Sequence, residues 1–265
     1  MFSLITPSKL IPPFQTPSPL LRRHIHRMPI ISAVHRTPPP PPPPGSSVYQ
    51  PFRPPPAPAQ LPSQYHSLAL SDRLEILRNR LGLWHEYAPL IPTLTQDGCS
   101  PPSIEEATGI SNADQNLFVV AAQVRDSLIS LKFDADLLAY FDVGGAELLY
   151  ELRLLSAAQR ATAARHVVDL HLDPKATLEL ARAMKDFPRR RDDPGWGSFS
   201  AASPGDCLAF TYLRMSVEAT SPSDRVASLQ RALDAAETES AKTLVLDELE
   251  RRGGGGLNGQ LGDED

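Results

Sequence analysis

"IEEATGISNADQNLFVVAAQVRDSL", residues 104–128, decides the fold class. A short helix runs into Gly109-Ile110-Ser111 and a longer helix follows, the cadence of a helix-turn-helix. Ser103 with Glu106 reads as a capping box for the first helix, and Gly109 closes it. Ser111 caps the second, whose Leu117, Val120, Ala121, Val124 and Leu128 recur along one face. Such a unit either reads DNA or serves as packing. A DNA-reading second helix is surrounded by Lys and Arg that neutralise phosphates. Here that helix carries Asp114 in its first turn and one base, Arg125, beside Asp126. Net repulsion at the contact face argues against duplex recognition and for a small helical subdomain packed on its neighbours.

The helical pattern extends both ways from this unit. Upstream, Ser71 is read as the cap of a helix whose Leu74, Leu77, Leu81 and Trp84 build one apolar stripe, bent or ended by Pro89 and Pro92. Downstream, Asp134 opens a short helix that stops at Gly144-Gly145, and "AELLYELRLL" (146–155) follows. Ser156 then caps "AAQRATAARHVVDL", and Asp173-Pro174 sets a capping residue before the preferred first-turn proline. Prolines and glycines interrupt residues 188–205, after which come "GDCLAFTYLRMSVEA", "SDRVASLQRALDAAE" with Ser223 as its cap, and "ESAKTLVLDELERR". No β-branched alternation bounded by turns appears. The expected fold is all-α, with a helix-turn-helix-like subdomain (67–131) packed with a multi-helix bundle (132–252), about ten helices in all.

Nineteen of the 28 prolines precede Ser63, including seven in a row at 38–44, and such runs favour extended polyproline II. The first 36 residues contain Lys9, Arg22, Arg23, Arg27, Arg36 and several hydroxyl residues but no acid, the composition of an organelle transit peptide, with an ordinary disordered tail as the alternative. Prolines break every apolar run there, which disfavours a secretory signal, and no segment is apolar for long enough to span a bilayer. Residues 1–47 are read as transit peptide and disordered Pro-rich segment, 48–66 as an extended Pro-rich arm, and 253–265 as a flexible Gly-rich, acidic tail.

Six of the 26 basic residues precede Asp72, the first acid, leaving 20 against 31 acids and a formal charge of −11 for the remainder. Such a body repels phosphate backbones and anionic membranes. Cys99 and Cys207 are too few and too far apart for a zinc site or a disulfide framework. No phosphate-binding loop or HExxH pair is present. His85 with Glu86, and His166 with His171, lack the spacing that sets two imidazoles on one helical face, and Asp192 and Asp193 stand beside three arginines. Neither a cofactor nor an enzymatic activity is expected.

The least routine stretch is "KDFPRRRDDPGWGSF", 185–199, a long connection among short ones. Lys185, Arg189, Arg190, Arg191, Trp196 and Phe199 form the candidate protein interface, since Arg and Trp combine buried area with directed hydrogen bonds. A second reading keeps Trp196 and Phe199 as plugs in the helical core.

The blocks "VYQPFRPPPAPAQLPSQYHSL", "LGLWHEYAPLI", "PPSIEEATGIS", "GAELLYELRLLS", "LARAMKDFPRRRDDPGWGSF" and "PGDCL" resemble, in this order, plant members of the Rubisco accumulation factor 1 family, from about Val48 to Arg252. The resemblance implies a non-enzymatic assembly chaperone of the chloroplast stroma. It would act after the chaperonin has folded the Rubisco large subunit, hold large-subunit dimers and promote the eight-subunit core. It also implies a dimerising C-terminal β-sheet domain, which this sequence lacks. The expectation is therefore a truncated, monomeric form whose binding is weakened by the loss of one arm. The partner expected is the large subunit, with chaperonin contact at most indirect and neither nucleic acid nor membrane. An organellar helix-turn-helix nucleic-acid binder is the alternative. Lys185 and the three arginines would meet acidic large-subunit surface, with Trp196 as apolar anchor.

Overall fold

Four helices begin with one device, a hydroxyl or carboxylate cap followed by proline at the first helical position: Ser100-Pro101, Asp173-Pro174, Ser203-Pro204 and Ser221-Pro222. Proline is preset for the helical φ, and its missing N–H is one the helix could not use. The computed structural model describes residue 65 and residues 67–253. Within them lie α1 (Leu70–Asn79), α2 (Trp84–Tyr87), α3 (Leu90–Gln96), α4 (Pro101–Thr108), α5 (Asn112–Ser130), α6 (Ala135–Ala139), α7 (Ala146–Glu151), α8 (Ala157–Asp169), α9 (Pro174–Asp186), α10 (Pro204–Glu218), α11 (Pro222–Ala235) and α12 (Glu239–Gly253). Short 3-10 turns occur at Leu152–Leu154, Phe187–Arg189 and Trp196–Ser198. No strand occurs among the described residues. The segments read as transit peptide, Pro-rich arm (apart from Tyr65) and acidic tail (apart from Gly253, which ends α12) lie outside the described residues. Tyr65 packs against the core.

Three helix starts differ from those read in the sequence. Ser100, not Ser103, caps α4, and Ser103 supplies the capped N–H at 3.3 Å. Ser221, not Ser223, caps α11. In both, the proline moves the start one or two residues upstream of the serine chosen from the sequence. α1 begins after Ala69 with no side-chain cap, and Ser71 hydrogen-bonds to Asp72 within its first turn. The stripe from Leu74 to Trp84 is also not one helix. Arg80 turns left-handed (φ 47°), Leu81 is exposed, and Gly82 (φ 93°) leads into α2. A Cβ on Gly82 would lie 2.6 Å from the Glu86 carboxylate, which accepts the Leu83 N–H and so caps α2.

The described residues form one compact unit. α5 is its axle, touching α2, α3 and α4 as well as α7 and α8. It buries Gln115, Ala121, Ala122, Val124, Ser127 and Leu128, a wider belt than the single face read from the sequence. The Gln115 amide donates to the Pro101 and Ile110 carbonyls, and the Glu105 carboxylate accepts the Asn112 N–H, which pins the helix-turn-helix turn internally. Between α2 and the turn after α6 the Trp84 indole donates to the Phe141 carbonyl (2.8 Å), and Asp142 receives Arg125 (2.9 Å) and approaches His85 (3.1 Å). From α7 and α8 the packing passes to α9, then α10, α11 and α12. Arg160 of α8 is 2% exposed with no carboxylate partner among the described residues, and its guanidinium reaches the Leu152 and Arg153 carbonyls and the Ser127 hydroxyl. It therefore ties the end of the Leu152–Leu154 turn to α5.

Candidate protein-interaction face

Residues 187–203 do not hang free. Phe187 is buried at the end of α9, and Trp196 stacks on it with centroids 5.2 Å apart and 25° between planes. The Trp196 indole donates to the Phe187 carbonyl (3.0 Å), and Gly195 at φ 82° makes the turn that brings the ring back. Phe199 is 6% exposed and packs on Phe210 of α10. The segment ends in a clamp around Asp206, which has no exposed surface. Its carboxylate accepts from Ser200 N, Glu237 N, Thr238 N and the Thr238 hydroxyl, fastening the loop to the turn between α11 and α12. Burial alone would raise the Asp206 pKa. The hydrogen bonds from Thr238, Ser200 and Glu237 outweigh it and hold the group below the ordinary carboxylate value.

The six residues singled out in the sequence therefore separate. Phe199 belongs to the core, and Trp196 is half-buried, with its ring against Phe187 and Arg191 5.9 Å over its other part. Arg189 and Arg191 are exposed, while Lys185 is half-buried. Arg190 turns toward a groove between α9, α10 and α11, with Asp193 4.0 Å away. Asp193 is held more closely by Arg214 of α10, at 2.9 Å, so the neutralising arginine comes from another helix.

That groove encloses about 500 Å3. Half-buried Leu178 contributes apolar surface over the buried Ala183, Phe187 and Phe210, and Lys175, Arg182, Arg190, Arg214 and Arg231 contribute charge against only Glu179 and Asp186 in the lining. Of its cations, sequence reasoning found Arg190 alone. The signal was present, because Lys175, Glu179, Arg182 and Asp186 recur at helical spacing on α9, but only the fold shows α10 and α11 adding Arg214 and Arg231.

The histidines are dispersed. His85 faces Asp142, His166 pairs with Glu237 at 3.1 Å, and His171 lies beside the Tyr140 hydroxyl. Burial first, then Arg125, lowers the His85 pKa against the pull of Asp142. No group of three or more metal-ligating side chains occurs among the described residues, and no helix there is long and apolar enough to cross a membrane.

Comparison with known proteins adds the decisive observation. A profile of the Rubisco accumulation factor 1 helix turn helix domain matches residues 69–129, and one of the Rubisco accumulation factor 1 alpha helical domain matches residues 141–249. The chain belongs to the Rubisco accumulation factor 1 family. It is 59% identical over 218 residues to Rubisco accumulation factor 1, chloroplastic, of Zea mays, covering 76% of this chain and 47% of the relative. Rubisco accumulation factor 1.1, chloroplastic, of Arabidopsis thaliana is 49% identical over 231 residues, 86% of this chain and 53% of its own. RuBisCO accumulation factor 1 of Synechococcus elongatus is 33% identical over 182 residues, 68% and 50%. The chain thus spans about half the length of the curated relatives it matches. Both family domains fall on described helices, the first ending within α5 and the second beginning at Phe141, the residue that receives the Trp84 indole.

Proposed function

We propose that this chain is a chloroplast-stromal Rubisco assembly factor that works by binding and performs no chemistry. It would receive the large subunit after chaperonin-assisted folding, cover large-subunit dimers and favour their growth into the eight-subunit core. Family membership carries this reading, and the plant relatives named chloroplastic support the compartment. The enclosure of α5 speaks for a packing role of the helix-turn-helix, since a recognition helix must project into a groove of DNA. An interface that must later be surrendered is expected to be polar and modest, with a few anchors carrying most of the energy. The exposed Arg189 and Arg191 and the half-exposed Lys185 and Arg190 suit such a face, with the half-buried edge of Trp196 as its apolar part.

The test is co-expression with the large subunit and its chaperonin, followed by size-exclusion chromatography. Co-elution with the large subunit supports the proposal, and elution alone under conditions where the large subunit is folded contradicts it. Replacing Arg189, Arg190 and Arg191 together by Ala is expected to weaken the complex at least tenfold. An undiminished complex moves the interface elsewhere.

A further inference from the structure

We infer that the groove between α9, α10 and α11 is the seat of an extended acidic segment of the partner polypeptide, one that carries a large apolar side chain between its carboxylates. This deepens the preceding proposal and takes from it only the identity of the partner.

The charge distribution is the first argument. From Asp72 onward the chain is acidic by 11 charges, yet this groove gathers five basic side chains against two acidic ones. Arg231 is compensated by Glu179 at 3.1 Å, and Arg214 by Asp193 and Glu218 at 2.9 and 3.1 Å. Arg190 has its carboxylate only at 4.0 Å, and neither Lys175 nor Arg182 has one within ion-pair distance among the described residues. Clustered cations repel one another, and an anionic ligand removes that cost.

Shape supplies the second argument. The half-buried Leu178 gives the groove an apolar spot that is of no use to a free phosphate or a nucleic-acid backbone but suits an aromatic or aliphatic side chain, while Phe187 and Phe210 are themselves buried. Along α9 the residues that line the groove run from Lys175 to Asp186, about 16 Å at ~1.5 Å per helical residue. That length accommodates about five residues of extended chain at ~3.3 Å each. Alternate side chains of an extended peptide then point to floor and solvent, while its carboxylates reach Lys175, Arg182 and Arg190 on the rim.

The experiment is fluorescence anisotropy of a labelled peptide, Glu-Asp-Phe-Glu-Leu-Asp-Glu, whose Phe and Leu share one face of the extended chain, titrated with this chain, alongside its Gln/Asn counterpart and a version with Ala for Phe and Leu. Saturable binding of the first is expected, with both analogues weaker by at least tenfold. The double variant Lys175→Ala, Arg182→Ala removes cations that hold no ion-pair partner among the described residues, so its thermal unfolding should match the parent while peptide affinity falls at least tenfold. Equal binding of the Gln/Asn peptide, of the Ala peptide, or by the double variant overturns the assignment, as does displacement by a single-stranded oligonucleotide at equal concentration. Absence of peptide binding together with intact co-elution with the large subunit refutes the groove and leaves the assembly proposal standing. Peptide binding without co-elution does the reverse.

Discussion

Asp206 is ionised at neutral pH although it is buried, because four neutral donors converge on its two oxygens. Asn in its place has one acceptor oxygen and turns an amide N–H2 toward groups that themselves donate. Asp206→Asn is expected to cost on the order of 3 kcal/mol in urea unfolding at pH 7. Since the folded pKa is depressed, the carboxylate's contribution is complete above its unfolded value of about 4 and is lost as pH falls through the lower folded value. The parent should therefore lose stability below about pH 4, and the variant should lose less there. Its neighbour Cys207 is buried, and burial, with the charges of Asp206 and Glu237, pushes its thiol up to about 12. Under native conditions at pH 8, iodoacetamide should therefore modify the half-buried Cys99 and leave Cys207 intact, with both labelled in urea. Rapid native labelling of Cys207 would show that this corner opens. None of this was legible in the sequence. Asp206 stands there as an acid in a helix first turn, and its donors lie about six and thirty residues away. Arg160 is similar, for "AAQRATAARHVVDL" reads as a solvated arginine until α5 closes over it.

Among the elements, α5 and the 187–203 segment show what patterning can and cannot give. Helix class followed from three- and four-residue periodicity, and Ser111, Asp134, Ser156 and Asp173 cap the helices they were expected to cap. Starts failed where proline outcompeted a nearby serine, as at Pro101 and Pro222, and one boundary was missed because Arg80 turns left-handed without a glycine. The aromatics of the connection were ambiguous because a large ring serves core and interface alike. Phe210 and Phe187, on separate helices, decide that Phe199 and the Trp196 face are packed. The Trp84 indole hydrogen bond is one tie between the two family domains, beside the packing of α5 on α7 and α8. Trp84→Phe keeps most of the ring but leaves the Phe141 carbonyl without its donor, and should cost about 1–3 kcal/mol in thermal or urea unfolding. An unchanged midpoint would show that the junction is held by packing alone. Gly205→Ala puts a methyl group 2.4 Å from the Ala235 carbonyl, so α10 and α11 must separate and the melting temperature should drop by several degrees. A variant as stable as the parent would mean that α11 shifts at little cost.

At the scale of the whole molecule, the sequence from Asp72 onward is acidic, the described residues form a helical body with a basic groove between α9, α10 and α11, and the proposed binding rests on that contrast. Composition alone disclosed the acidity and argued against nucleic-acid binding. The groove needed three helices brought together, so its rim was only one-fifth visible, through Arg190. The most direct test is hydrogen–deuterium exchange of this chain with and without the Rubisco large subunit. The account expects new protection concentrated in residues 174–190 and 207–214, with α5 unchanged. Protection centred on α4 and α5, or none anywhere while a complex is present, would contradict it.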